Sequence, residues 1–393
     1  MGEALLILWM LSAFRVNEGF PVLTPPIAMG LMVMAFVAIV ITRPRGSTSQ
    51  VRISIAVLLW VGLWIMSMTW SWNFWVWFAD ARNSIGLIAV GMLIGGVLEI
   101  DRIKRGLCTA VYLIIPITVM FAVTGGVDEG GAWHGSFVHK NIMGGFMAIA
   151  ILILVHLEDR FIWKVGAITA AMGLVVLSQS ATALLMVGAA GATTVILRRV
   201  ASLPHRQATA YFFSVTTMVL LLLAVLAVQY ATVVTGLGRD GSLTGRTEIW
   251  PSTWDMIQVQ PWIGWGPGVW IQQNADPARH IGSQTGFNVG HSHNTFLEVL
   301  LLWGVVGLTL YLGMLVALAR SAWRLVRIHL RWAALSLGFL AVLLVQSISE
   351  PALFGWIAMV GLLHVLMQRL WDEHRRSTVT TAVDDLDMDR LIR

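Results

Sequence analysis

Long apolar runs separated by short polar stretches recur along the whole chain. Each run is roughly 15–25 residues long, which is about the length that crosses a bilayer as an α-helix. The pattern therefore predicts about twelve membrane spans. They lie near residues 4–20, 23–42, 53–71, 84–100, 107–124, 142–158, 162–178, 181–198, 211–235, 293–319, 333–349 and 352–371. The first span is the weakest, because its apolar run is short and ends at Arg15.

Lysines and arginines alternate between the two sides of these spans. Of the 26 basic residues, 20 lie around 43–52, 102–105, 160–164, 198–206, 320–331 and 369–393. Cytoplasmic loops of membrane proteins carry an excess of lysine and arginine, so this side and both chain termini are predicted to be cytoplasmic. The opposite face keeps the six remaining basic residues, Arg15, Arg82, Lys140, Arg239, Arg246 and Arg279.

One connection on that opposite face is much longer than the others. Residues 236–292 contain no spanning run, and loops longer than about 15 residues are usually functional or disordered. Within this loop Trp250, Trp254 and Ile257 recur at helical spacing, which predicts a short amphipathic helix at the membrane surface. We therefore predict an all-α polytopic membrane bundle in four parts. They are an N-terminal bundle over 1–235, the long loop over 236–292, further spans over 293–372 and a disordered tail over 373–393.

The composition agrees with a membrane protein and argues against other classes. Only 12% of the residues are charged, whereas soluble domains have about 25%. The net charge of +5 could suggest nucleic-acid binding, but the basic residues follow the membrane topology, so no nucleic-acid partner is predicted. Cys108 is the single cysteine, so no internal disulfide can form and a cysteine-based metal site is not expected.

Polar residues on the face opposite the basic loops concentrate in four short stretches. The first is His139-Lys140-Asn141, at the mouth of the sixth predicted span. A lysine at this position either extends its ammonium group to the membrane interface or binds an anion such as phosphate. The second stretch surrounds Arg246 in the long loop. An arginine fork pairs well with phosphate oxygens, although a surface salt bridge with a nearby acidic residue is an equal alternative.

The third and fourth stretches contain clustered glycines and two histidines. The glycines from Gly264 to Gly268 do not follow a strand, so a tight turn with close backbone approach is predicted rather than a dinucleotide site. His291 and His293 would point to different sides of a helix, so no metal site is predicted there. Thr295 with Glu298 matches a capping box and predicts a helix start. Spacing alone leaves His293 as either a general base or a hydrogen-bonded structural histidine.

Tryptophan is abundant, with 19 residues. Many of them cluster where predicted spans end, which is typical of aromatic anchoring at the membrane interface. Flat aromatic faces also suit the C–H faces of sugar rings, so a sugar-stacking role is open for Trp250, Trp265 and Trp270 in the long loop.

Taken in this order and spacing, the four stretches resemble the O-antigen ligase/polymerase family, membrane enzymes that join or extend bacterial surface polysaccharides. The matching residues are Phe137-x-His139-Lys140-Asn141-x-x-Gly144, Gly245-Arg246-Thr247-x-Ile249-Trp250, Pro261-x-x-Gly264-x-Gly266-x-Gly268 and His293-Asn294-x-x-Leu297-Glu298. The likeness covers roughly residues 120–320, and the chain looks like the exopolysaccharide-polymerase branch of the family.

The resemblance implies a GT-C-like glycosyltransferase of the bacterial inner membrane with its active site on the periplasmic face. Its donor would be a glycan carried on undecaprenyl diphosphate, and its acceptor a hydroxyl of a glycan or glycolipid. No nucleotide sugar, cofactor or essential metal is implied, and the anomeric carbon is expected to invert. The sequence leaves polymerase and ligase open, since the two share a donor and differ in acceptor.

The resemblance also assigns roles to residues. His293 is expected to deprotonate the acceptor hydroxyl, and Arg246 to hold the diphosphate. A second cation is expected near the diphosphate, with Arg239, Arg279 or Arg82 as candidates. The full set of expected substrate-binding residues is Lys140, His139, Asn141, Arg239, Arg279, Asn294 and Trp250.

A lipid-linked-sugar flippase or transporter is the alternative from a different class. Such a protein would need charged residues deep within its spans or broken helices in corresponding halves of the chain. The predicted spans contain few charges, and the polar residues cluster at one face. The glycosyltransferase is therefore the favoured prediction.

Overall fold

The computed structural model describes residues 2–14, 16, 30, 32–34, 55–204, 206–211, 214–215, 246–271, 275–286 and 288–392, without the side chains of residues 247, 354 and 379–392. Within these ranges the regular structure is helical, and strand-like pairing is limited to one isolated bridge between Val127 and Trp133. The all-α prediction is therefore confirmed.

The helices before the long loop begin and end as follows: α1 Gly2–Ala13, α2 Ile55–Met66, α3 Phe74–Val97, α4 Ile100–Val123, α5 Lys140–Leu157, α6 Phe161–Leu177 and α7 Ala181–Ser202. The later helices are α8 Arg246–Val259, α9 Asp276–Thr285, α10 Thr295–Leu325, α11 Leu330–Ser349 and α12 Phe354–Ile392. Helices α8 and α9 lie in the part of the chain predicted as a long loop.

Six of the described helices, α3, α4, α5, α7, α10 and α11, are long and apolar enough to cross a bilayer. The chain is therefore a multi-pass membrane protein. Most of the predicted spans 23–42 and 211–235 lies outside the described residues. The total of about twelve spans stays a prediction, and so does the division into an N-terminal bundle, a periplasmic loop and later spans.

Helix α5 lies at the centre of the packing. It contacts α6, α7 and α11, and most of its residues are buried, as expected for a helix that is apolar on all sides. Gly144 allows this close packing, because a Cβ atom there would lie 2.6 Å from the Cβ of Ala183 on α7. The first turn of α5 carries the polar residues of the first stretch, so the packing fixes where those residues lie.

Helix α10 is broken at Gly304, where φ is +60°. The turn that precedes α9 fits into the break: Val305 N donates to the Pro261 carbonyl at 2.8 Å, and Trp265 N donates to the Leu301 carbonyl at 2.8 Å. A Cβ on Gly264 would lie 2.6 Å from the same Leu301 oxygen. The prediction of a tight turn with close backbone approach is therefore confirmed.

The described residues bear on two predictions about the chain ends. The first helix ends at Ala13, although a span over 4–20 is predicted, and its buried face packs against α4. A run of 12 residues is short for a full crossing. The structure gives α12 as a helix to Ile392, and the disordered tail over 373–393 stays a prediction. The tail contains neither glycine nor proline to end the helix, and Arg369 forms a helical i,i+4 pair with Glu373.

Candidate functional site

A buried carboxylate, Glu350, joins three distant parts of the chain at one end of the bundle. It directly follows α11, and its side chain is 10% exposed. Asn141 Nδ2 donates to Glu350 Oε1 at 2.9 Å, and the Arg246 guanidinium lies 3.4 Å from the same oxygen. His293 Nδ1 lies 3.3 Å from the other oxygen, Oε2. We call Asn141, Arg246, His291, His293 and Glu350 the Glu350 cluster.

Helix starts position three members of this cluster. Asn141 lies in the first turn of α5, and its backbone N–H donates to the side chain of His139, which caps that helix. Arg246 is the first residue of α8. His293 comes two residues before α10. One amide, one guanidinium and one imidazole therefore lie where helix N-termini provide a positive potential that suits an anionic ligand.

The start of α10 differs in detail from the predicted capping box. Asn294, rather than Thr295, is the cap, and its side chain accepts from the backbone N–H groups of Phe296 and Leu297 at 2.9 and 3.2 Å. Because Asn294 caps the helix, the Glu298 carboxylate is available to the preceding loop. It accepts from the Ser292 backbone N–H at 2.9 Å and holds that loop in place.

Thr295 instead connects the two sides of the cluster. Its hydroxyl donates to the Glu350 carbonyl at 2.9 Å and accepts from Ala352 N at 2.7 Å. His293 has φ of +51°, which is uncommon for a residue other than glycine. The fixed ends of the loop therefore hold His293 in an unfavourable backbone conformation that places its ring against the Glu350 carboxylate.

Charge in the cluster is set by burial and by the histidines. Burial raises the pKa of the Glu350 carboxyl, but the hydrogen bond from His293, the charge of His293 and the hydrogen bond from Asn141 together hold the pKa below its usual value. Burial lowers the pKa of His291 to about 4, so its imidazole is neutral near pH 7. Burial also lowers the pKa of His139. The cluster at neutral pH therefore contains an ionised Glu350 carboxylate beside the neutral imidazole of His291.

Lys140 lies next to the cluster, but its ammonium group is paired elsewhere. Lys140 Nζ is 3.1 Å from Asp128 Oδ2 in the loop between α4 and α5. The hydrogen bond from the Ala132 backbone and the bond from Lys140 hold the pKa of Asp128 below its usual value. The structure thus brings His293, Arg246 and Asn141 together, whereas Lys140 is held by Asp128.

The other predicted site residues lie at different distances from the cluster. Trp250 Nε1 donates to the Ser292 carbonyl at 3.0 Å, so it supports the loop that carries His293. Arg279 lies on α9, where it pairs with Asp276. Arg82 lies on α3 with its guanidinium over the Phe78 ring. Arg239 lies outside the described residues.

Three cluster residues have the donor types of a metal site. One donor atom each from His291, His293 and Glu350 lies within 4.8 Å of the others. Imidazole and carboxylate together suit zinc and similar ions. However, the Arg246 guanidinium contacts the same carboxylate, and its positive charge opposes a cation there. Hydrogen bonding and proton transfer therefore account for the arrangement better than metal binding does.

Sequence reasoning missed Glu350 and His291. Glu350 stands with Pro351 in the short connection between the last two predicted spans, on the face opposite the basic loops. A carboxylate in so short a connection between two apolar runs is a usable signal. His291 was considered only as a metal ligand, although its Nε2 lies 4.0 Å from Glu350 Oε2.

Comparison with known proteins gives two findings. Residues 165–312 match a family model described as O-Antigen ligase. The chain is also 27% identical over 238 residues to the exopolysaccharide production protein ExoQ of Rhizobium meliloti (strain 1021). That alignment covers 56% of this chain and 54% of the relative, so it spans about half the length of each protein.

These findings confirm the resemblance to the O-antigen ligase/polymerase family that the four motifs indicate. The family match includes Arg246 and His293, whereas Asn141 and Glu350 lie outside it. The structure therefore brings residues from inside and outside the matched region into contact.

Proposed function

We propose that this chain is a glycosyltransferase that transfers or polymerises repeat units of a surface polysaccharide, from undecaprenyl diphosphate to a sugar hydroxyl. The observation that carries the proposal is the Glu350 cluster, in which a histidine, an arginine and an amide from three distant segments meet one buried carboxylate. The family likeness and the name of the ExoQ relative support a polysaccharide substrate.

In the proposed reaction His293 is the general base. Glu350 contacts Nδ1 of the imidazole and orients the ring, which leaves Nε2 for the acceptor hydroxyl. Nε2 takes the proton of that hydroxyl while its oxygen forms a bond to the anomeric carbon. The bond from that carbon to the diphosphate oxygen breaks, and the electron pair leaves with the diphosphate. Attack from the side opposite the leaving group inverts the anomeric carbon.

Arg246 is the proposed ligand of the leaving diphosphate. Its guanidinium side chain is only 16% exposed and lies 3.4 Å from Glu350, a contact long enough to exchange for phosphate oxygens. Lys140 is next to the cluster and 31% exposed, so it could supply a second positive charge if it left Asp128. Diphosphate already departs readily, so positioning and charge complementarity are what the protein must add.

We place this chemistry on the periplasmic face of the bacterial inner membrane. The proposal follows from the basic residues, which concentrate in the opposite set of connections. The reaction as proposed needs no metal, no nucleotide sugar and no other cofactor. Its partners are the lipid-linked donor, a glycan or glycolipid acceptor and the lipid bilayer.

The test uses bacterial cells that lack their own copy and produce His293→Ala in its place. We expect loss of the polysaccharide ladder, because removal of a general base lowers the rate by about 10²–10⁴-fold. His374→Ala, a histidine in the C-terminal part of α12, is the matched control and should give a normal ladder. A normal ladder from well-expressed His293→Ala would end the assignment.

A ligase is the second candidate, because the matching family model is described as O-Antigen ligase. The same cells distinguish the two reactions. Loss of a polymerase leaves single repeat units, whereas loss of a ligase leaves long chains that are not attached to their final carrier.

A further inference from the structure

A cleft of about 600 Å³ opens between α8 and α9, and none of its lining residues belongs to the Glu350 cluster. Met256, Val259 and Trp265 line one side. Asp276, Arg279, His280 and Ser283 of α9 line the other side. The volume lies within the range of about 300–1,000 Å³ that is typical of small-molecule sites.

The α9 side of the cleft offers hydrogen-bonding groups to a ligand. His280 Nε2 is buried and has no hydrogen-bond partner among the described residues, and the nearest carboxylate oxygen, on Asp255, is 3.8 Å away. A buried polar atom without a hydrogen-bond partner is uncommon, so His280 keeps an unused hydrogen-bonding group beside the cleft. Arg279 pairs with Asp276, but its side chain is 69% exposed. Such an exposed pair contributes little to stability, so a ligand can replace it.

The α8 side is apolar and held in place. Trp265 Nε1 donates to the Met256 carbonyl at 2.8 Å, and the Trp265 ring stacks near Trp72 at 6.4 Å between centroids. An apolar surface facing hydroxyl-binding side chains suits a sugar, because a pyranose ring has C–H faces and a rim of hydroxyl groups. A lipid tail would leave the polar side unpaired, and a metal ion would not use the apolar side.

The position of the cleft relates it to the proposed reaction. Arg246 begins α8 at the Glu350 cluster, and Met256 and Val259 lie ten to thirteen residues further along the same helix. At 1.5 Å per residue, the cleft is about 15–20 Å from Arg246. A glycan that reacts at the cluster would therefore reach the cleft with sugars several units away from the reacting bond.

We propose that this cleft binds the glycan chain at sugars distant from the reacting bond and thereby sets the length of the product. The proposal rests on the function proposed above. Binding at a distant position retains a chain that already has several units, so it favours further extension without taking part in the chemistry. Arg279 and His280 provide the hydrogen bonds, and Trp265 provides the apolar contact.

The test fills the cleft and measures chain length. Ser283→Trp places a large ring in the cleft, and Gln284→Trp is the matched control, because Gln284 is exposed on α9 and does not line the cleft. Cells that lack their own copy produce each full-length variant, and gel ladders report the distribution of chain lengths. We expect Ser283→Trp to shift the most abundant length downward while formation of the first linkage is unchanged. Gln284→Trp should give the wild-type distribution.

Two further variants keep the test decisive if Ser283→Trp does not accumulate. Arg279→Met and His280→Leu remove hydrogen-bonding groups without adding volume, and they too should shorten the product. A direct measurement titrates the purified full-length protein with oligosaccharides made by partial hydrolysis of the same cells' polysaccharide. Wild-type protein should bind them more tightly than Ser283→Trp.

The outcomes separate this proposal from the proposed function. If His293→Ala abolishes the ladder but the cleft variants give wild-type chain lengths, the cleft assignment alone is wrong. A uniform loss of all chain lengths in well-folded cleft variants would also overturn it, because length control requires a changed distribution. If His293→Ala gives a normal ladder, the proposed function fails first.

Discussion

Helices α5 and α11 run past each other and carry a carboxylate cluster at each pair of ends. At one end, Asn141 of α5 meets Glu350, which follows α11. At the other end, Asp159, two residues after α5, pairs with Arg331 of α11 at 2.6 Å and with Lys104 of α4. The same two helices thus offer two environments for acidic side chains, and the two environments differ in how completely each carboxylate is bound.

The α5 end that carries Glu158 and Asp159 is closed. Glu158 accepts from Arg160 Nε at 3.1 Å, from Arg160 Nη2 at 3.0 Å and from the Tyr112 hydroxyl at 2.8 Å. The hydrogen bond from the Arg160 side chain is the main cause that lowers the pKa of Glu158 to about 2. Each of these contacts is a short hydrogen bond from a donor that holds the Glu158 carboxylate in place. This geometry is typical of a structural ion pair.

The Glu350 end is looser. Apart from the bond to Asn141, its contacts run from 3.3 Å at His293 to 4.0 Å at His291. Its partners are two imidazoles and a guanidinium, which can exchange a proton or bind phosphate. The comparison supports the proposal that the Glu350 end is the reactive one, because its buried carboxylate has loosely held partners. The short, complete contacts of Glu158 are typical of a structural ion pair instead.

The largest predicted effect is that of Glu350→Gln. We expect the transfer rate to fall by about 10²–10⁴-fold, because Gln keeps the shape but removes the charge that orients His293. Glu158→Gln at the opposite end should leave the rate unchanged. In vitro transfer from a defined undecaprenyl-diphosphate oligosaccharide measures both variants.

Glu350→Asp tests whether restoring the negative charge restores the transfer rate. If the role of Glu350 is to orient His293, the restored charge should recover part of the rate and change its pH profile. If Glu158→Gln and Glu350→Gln lowered the transfer rate equally, both carboxylates would have a structural role only.

The second effect concerns Arg246. Arg246→Lys keeps the positive charge but loses the planar fork that binds two phosphate oxygens. We expect kcat/KM for the lipid-linked donor to fall by about 10- to 100-fold, the equivalent of a lost charge-assisted contact. Arg324→Lys, an exposed residue near the end of α10, should behave as wild type. An Arg246→Lys variant with unchanged kcat/KM would remove Arg246 from the donor site.

The third effect is on stability in acid. The pKa of Glu158 in the folded protein is lowered from 4.5 to about 2, so its ionised form stabilises the fold at neutral pH. That contribution should disappear as the pH falls from about 4.5 towards 2. Glu158→Gln should cost about 1–2 kcal/mol at pH 7 and show a flatter dependence in this window. Thermal unfolding in detergent at each pH measures the difference, and parallel curves for the two proteins would contradict it.

The smallest predicted effect is that of a chelator. Because Arg246 shares the Glu350 carboxylate, we expect transfer by purified protein to continue unchanged in EDTA. Activity that disappears in EDTA and returns with added zinc would assign His291, His293 and Glu350 to a metal site instead. That result would also change the interpretation of the Glu350 end, because its loosely held carboxylate would then be the ligand of a cation.

The sequence predicts the long helices well where the bilayer sets their length. The span predicted over 142–158 corresponds to α5, Lys140–Leu157, within two residues. Agreement is poorer where local chemistry decides the start. Helix α3 begins ten residues before the span predicted at 84, because the Asn73 side chain caps it by accepting from the backbone N–H groups of Trp75 and Val76.

The candidate site is less accessible to sequence reasoning. Arg246 stands out because only six of the 26 lysines and arginines lie on its predicted face, and His293 and Asn141 stand out through the motifs that contain them. Glu350 does not stand out, because its meaning depends on folding that brings residues 141, 246 and 293 within hydrogen-bond reach. The partner of Lys140 is likewise hidden, since Asp128 becomes available only through the local turn that presents its carboxylate.

The interruption of α10 at Gly304 limits which segments can be exchanged between this chain and its relatives. Val305 N and Val306 N donate to the carbonyls of Pro261 and Trp262, so the loop supplies main-chain acceptors inside a helix long enough to span the bilayer. A graft that exchanged only the loop would leave those amides without acceptors where water is scarce. Chimeras designed to make a new polysaccharide should therefore inherit residues 246–325 as one block.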